Sequence, residues 1–122
     1  VYWTVTGFAG AAEVYLSRWE GEKRWAKGAR KLCKALRGFA RVFPLGEPSA
    51  LLMEGWRCWL EGRRGRAEKT WRQCVARARQ LGTPHEGARA QLELARRLPD
   101  SADAAAMRAE AEASLARMEV RA

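Results

Sequence analysis

Apolar residues return every three or four positions through most of this chain, and the returns are interrupted at five places. The interruptions are Gly21, Pro44-Leu45-Gly46-Glu47-Pro48, Gly62 with Gly65, Leu81-Gly82-Thr83-Pro84, and Pro99-Asp100-Ser101. Glycine and proline in such clusters turn a chain rather than continue it, so six helical segments are expected. Val, Ile and Thr are scarce after the first few residues, which argues against strands.

The segment Lys23 to Phe43 has the sharpest pattern. Trp25, Ala29, Leu32, Leu36, Phe39 and Phe43 form one stripe, and Lys23, Lys27, Arg30, Lys34, Arg37 and Arg41 form another about half a turn away. Two opposed stripes make an amphipathic helix. The first segment aligns Phe8, Ala12, Tyr15 and Trp19, with Trp3, Val5 and Leu16 alongside. The fourth, from Arg66 to Arg79, aligns Ala67, Trp71, Cys74 and Ala78, followed by Leu81. The third, Ser49 to Glu61, differs. Leu51, Leu52, Met53, Trp56, Cys58, Trp59 and Leu60 leave it apolar on more than one face, so other elements must cover it on two sides. The fifth opens at Pro84, suited to a first helical turn, and carries Ala88, Leu92, Ala95 and Leu98. Ser101 is the expected N-cap of the sixth. Its stripe of Ala104, Met107, Ala111, Leu115 and Met118 is thin, so this helix is expected to fray most easily.

Leu45-Gly46-Glu47-Pro48 and Leu81-Gly82-Thr83-Pro84 stand 36 residues apart, and the same shift lays Leu52, Trp56 and Trp59 on Ala88, Leu92 and Ala95. Each interval holds helix, tight turn and helix. Gly55, Cys58, Gly62, Ala67, Trp71 and Cys74 then fall at the spacing of the tetratricopeptide repeat, a two-helix unit of about 34 residues. That likeness sets Gly55 against Ala67, with the Trp71 ring one turn on. Cys58 replaces the usual aromatic and Arg79 the usual proline. The expected fold is all-α: a right-handed stack of about three antiparallel helix hairpins, a tetratricopeptide-like α-solenoid. A single domain over 1–122 would hold hairpins at about 1–43, 48–80 and 84–119.

Glu13-Val14-Tyr15-Leu16, Arg41-Val42-Phe43-Pro44, Gly65-Arg66-Ala67 through Trp71, and Gln80-Leu81-Gly82-Thr83-Pro84 resemble the C-terminal repeat region of large bacterial signalling proteins. In that family the repeats follow a STAND-type ATPase module, often behind a cyclase or a Ser/Thr kinase domain. The resemblance implies a sensor or partner-binding arm whose catalysis lies elsewhere. The first residue is Val1 rather than Met, which fits a segment of a longer chain whose remaining domains would be partners.

Charge adds a second theme. Lys and Arg number 23 against 14 acidic residues, a formal +9 with a sequence pI near 10.3, and 18 of the 23 are Arg. The balance is uneven: residues 18–79 hold 17 basic and 6 acidic residues, whereas residues 80–122 hold 6 and 7. A surface for an acidic partner is one implication, and a solvated basic face is the blander one. Nucleic acid is disfavoured at this stage because the aromatic and basic stripes of the second helix lie on opposite faces.

Signs of catalysis are sparse. There is no GxxxxGK[ST] loop; Gly62-Arg63-Arg64-Gly65-Arg66 is a basic turn of different spacing. Gly7 and Gly10 follow no strand, so a dinucleotide site is not expected. His85 is the one histidine, and it reads as a surface or capping residue. Glu110 and Glu112 stand two apart on a helix and point away from each other. Cys33, Cys58 and Cys74 contain no paired ligand spacing for zinc and sit in helical apolar positions, as reduced thiols of a cytoplasmic protein would. No apolar run reaches membrane-spanning length. The chain is therefore expected to be a non-enzymatic interaction, sensor or scaffold domain with no cofactor or metal.

Its groove would be formed by helices one, three and five. Trp56 and Trp59 would be apolar anchors there, with Arg57, Arg63 and Arg64 as a charged rim for a protein or peptide, including an acidic one. The alternatives are a nucleic-acid-binding helical domain using the basic half, from Lys23 to Arg41, and a purely architectural solenoid segment.

Overall fold

A computed structural model describes the backbone of residues 2–121 and the side chains of residues 7–118. Trp3 and Val5 lie outside the described side chains. Six helices follow one another: α1 (Tyr2–Gly21), α2 (Ala26–Val42), α3 (Glu47–Leu60), α4 (Arg64–Leu81), α5 (Pro84–Arg97) and α6 (Ala104–Arg121). Short 3-10 turns at Lys23–Trp25 and Pro44–Gly46 lead into α2 and α3. The expected interruptions fall at or beside helix ends, although Gly65 and Pro48 lie within the first turns of α4 and α3. Gly62 and Gly82 adopt φ of 81° and 69°, the left-handed turn that ends a helix most easily at glycine.

Each helix packs on the next in the chain, and α3 also touches α1 and α5. This explains the two-sided pattern of α3: Leu52, Met53, Trp56 and Cys58 are all buried, in a core shared with Leu16, Leu36, Trp71 and Leu94. The α2 stripes separate as their spacing requires. Of the apolar stripe Ala29 and Leu36 are buried and Trp25, Leu32, Phe39 and Phe43 half-buried, with Cys33 buried beside them, while Lys23, Lys27, Arg30, Lys34, Arg37 and Arg41 are all exposed.

Two close approaches set the helix spacing. A Cβ on Gly55 would collide with the edge of the Trp71 ring, and one on Gly28 with the edge of the Tyr15 ring. Trp71 is fully buried, and its Nε1 donates to the Leu52 carbonyl at 3.1 Å. Gly55 thus receives the Trp71 ring, which the repeat spacing had set one turn on from Ala67.

Two details differ from the sequence reading. In α5 Ala90 and Leu94 are buried as well as Ala88 and Ala95, together with Gly87 and Gln91, while Leu92 is only half-buried. The helix is pressed from α3, α4 and α6, so its buried arc is broader than one stripe. Ser101 is not the N-cap of α6. Its hydroxyl donates to the Leu98 carbonyl at 2.9 Å, and α6 begins only at Ala104, after Asp103. Among the described side chains of α6, Ala104, Met107 and Ala111 are the buried ones.

Candidate functional site

The three odd-numbered helices lie side by side, with α3 between α1 and α5. Their shared face has two unlike ends. Toward the C-termini it is filled. Trp56 is 8% exposed, and its Nε1 donates to Glu20 Oε1 at 2.9 Å. Glu20 also pairs with Arg97, which donates to Glu93 at 3.1 Å. Burial alone would raise the Glu20 carboxyl, but Arg97 and the Trp56 N–H together hold it below the usual range. Trp59 is half-buried beside Trp71, with ring centroids 6.1 Å apart. The guanidinium carbons of Arg64 and Arg97 lie 4.9 and 5.5 Å from its ring centre.

Toward the N-termini of α3 and α5 the same face opens into a cavity of about 800 Å³. Ala9, Gly10 and Glu13 of α1 form one wall, and Ser49, Leu52 and Met53 of α3 form the floor. Pro84, His85, Glu86 and Arg89 of α5 form the opposite wall. Phe43, Leu45 and Gly46 close one rim and Gly82 and Thr83 another, so both copies of the repeated Leu-Gly-X-Pro segment border the opening. Leu45 is 62% exposed. Arg89 crosses above α3 to Glu13, 76 residues away in the chain, at 2.5 Å. Among the described residues, Thr83 Oγ1 is a buried oxygen without a hydrogen-bond partner.

The sequence-derived anchors therefore separate. Trp56 belongs to the core and Trp59 is covered by cations and Trp71. Neither lines the cavity. Arg57 is no free rim residue. Its guanidinium joins Glu54 and, at 2.6 Å, Glu61. Glu54 in turn accepts from Arg37 at 3.0 Å, and Glu61 from Arg30 at 2.7 Å. Arg30 and Arg37 of the basic stripe are thus clasped to α3. Burial pushes the Glu61 carboxyl up, but Arg30 and Arg57 outweigh it and hold it below the ordinary value. Hydrogen bonding to Glu54 raises Arg57 further above its already high value. Arg63 and Arg64 are exposed, and neither lines the cavity. His85 is exposed in the first turn of α5.

Spacing along one helix missed Glu13, Arg89 and Leu45 as parts of one site, because they come together only across α1, α5 and the turn before α3. The shared Leu-Gly-X-Pro segments were the available signal for the rim.

Cys33, Cys58 and Cys74 are buried free thiols. Burial pushes Cys33 and Cys74 up to about 12, far from thiolate chemistry at neutral pH. Among the described residues no group of His, Cys, Asp or Glu is arranged to hold a metal ion, and no helix is long and apolar enough to cross a membrane. No family model, curated protein or solved structure matches this chain.

Proposed function

We propose that this chain is a tetratricopeptide-like stack of three hairpins that holds an apolar peptide segment on the face shared by α1, α3 and α5, without catalysis of its own. The cavity of about 800 Å³ carries this reading. Its size falls among ligand-binding clefts, and its walls are mainly apolar with a few polar groups. Met53 and Leu52 give it an apolar floor, and the Glu13–Arg89 pair bounds it. The apolar anchoring role thereby passes from Trp56 and Trp59 to Phe43, Leu45, Leu52 and Met53. Likeness to the repeat arms of bacterial signalling proteins extends the reading from peptide binding to a sensor or scaffold role.

Gly10→Phe tests it. A side chain at Gly10 meets open space, so the fold is retained while the added ring occupies the cavity. Peptides enriched from a displayed random library on the wild-type chain are expected to share apolar anchors. They should bind Gly10→Phe at least about ten-fold more weakly, the scale of one lost anchor. Failure to enrich peptides, or equal binding to the variant, overturns the proposal.

A further inference from the structure

The outer face of α2 carries a second surface, distinct from the cavity. The helix contains six basic residues and no acidic one: Lys27, Arg30, Lys31, Lys34, Arg37 and Arg41. All six are exposed, including Lys31, which the stripe reading had left out. Arg30 is paired with Glu61, which follows α3, and Arg37 with Glu54 of α3, carboxylates that both also hold Arg57. Glu22, in the preceding turn, pairs with Arg24. Among the described residues, Lys27, Lys31, Lys34 and Arg41 form no ion pair. They follow one side of the helix for about 21 Å, taking 1.5 Å per residue.

We propose that this row docks on the phosphate backbone of double-stranded DNA without reading its sequence. Three features favour that polyanion. A protein partner would be expected to meet aromatic anchors, and protein interfaces are depleted in lysine, whereas this row is lysine-rich and has no aromatic residue. A membrane-surface helix must present apolar side chains to the acyl layer. The apolar side of α2 is buried in the core, and Val42 at its end is the one large apolar residue exposed on the helix. Single strands are gripped by stacking on exposed rings, and recognition of RNA duplexes leans on polar contacts to 2′-hydroxyls. The row offers neither. Phosphates need only cations, and about 21 Å of duplex presents roughly 12 charges, ample for four side chains.

The test is fluorescence anisotropy of a labelled, arbitrary-sequence DNA duplex of about 20 base pairs across a salt series. Four phosphate contacts predict a slope of log affinity against log salt near −3.6, from about −0.9 per contact. The variant Lys27→Gln/Lys31→Gln/Lys34→Gln/Arg41→Gln changes only exposed side chains. With circular dichroism unchanged, it is expected to bind at least about ten-fold more weakly at low salt, with a slope near zero. Gly10→Phe is expected to bind DNA as the wild type does, which separates this surface from the cavity. Unchanged DNA affinity in the quadruple variant overturns the proposal. So does tighter binding, at equal salt, of a polyglutamate peptide or of phosphatidylserine vesicles.

Discussion

The two ends of the α1/α3/α5 face differ in what fills the same backbone arrangement. Near the C-termini, Trp56 and Trp59 occupy the space beside α3, and Glu20 and Arg97 span it. Near the N-termini of α3 and α5, the corresponding positions are small: Ala9, Gly10, Gly46, Ser49 and Gly82. The helices continue, but the side-chain volume does not, and a cavity remains. Both ends carry an ion pair between α1 and α5, yet the pairs sit in different settings. Arg97 and Glu20 at the closed end are 14% and 35% exposed, and Arg89 and Glu13 at the open end 29% and 44%. The closed end stabilises, and the open end leaves apolar surface uncovered.

The largest effect that would break this contrast is expected at Trp71→Ala. Removal of a fully buried indole that also hydrogen-bonds Leu52 should cost about 3–5 kcal/mol, read from urea unfolding followed by circular dichroism. Much smaller losses would mean that the closed half is not tightly packed.

A matched pair of substitutions sharpens the comparison. Gly55→Ala drives a methyl against the Trp71 ring and should destabilise by about 1–3 kcal/mol, even after its helix-propensity gain. Gly10→Ala meets open space within α1 and should stabilise by about 0.5–1 kcal/mol. The thermal midpoints should therefore move in opposite directions. Movement in the same direction would erase the distinction between the two ends.

The pH dependence should be gentler. Glu20 and Glu61 have carboxyls held below their ordinary values by Arg97 and the Trp56 N–H, and by Arg30 and Arg57. The unfolded chain then binds more protons in the window beneath the usual carboxylate range. Stability from these groups is present above that range and lost as pH falls through the depressed values. Urea midpoints should decline on acidification from about pH 6 to about pH 3, spanning the usual carboxylate range. The decline should be shallower in Glu61→Gln. An identical acid limb in that variant would show that the α2–α3 clasp is too weak to register.

Much of the helix layout was legible because its signals are local. The opposed stripes of α2 needed only the 3.6-residue period, and every cation placed on its outer stripe is exposed. The apolar excess around α3 demanded cover on two sides, which α1, α2, α4 and α5 supply. The repeated Leu-Gly-X-Pro segments marked two equivalent turns, and both border the cavity. The site itself was much less legible. Trp56 and Trp59 lie on the expected face but at its filled end, because spacing along a helix does not say which turn of a neighbour stands opposite. Arg57 looked like a surface cation, yet it lies between Glu54 and Glu61. Within α3 the three share an edge by their spacing, but the clasp is completed by Arg30 and Arg37 from α2.

What the sequence determined by itself was the all-helical architecture, the positions of its turns and the basic outer face of α2. Periodicity, glycine and proline geometry, and the solvation of charge act over a few residues and need no knowledge of the rest of the chain. Tertiary structure alone decided that Gly55 meets the Trp71 ring and that Glu13 reaches Arg89 across 76 positions. It also decided that the shared face is filled at one end and open at the other. Those outcomes depend on the register between helices, and register is set by how side-chain volumes interlock across the whole core.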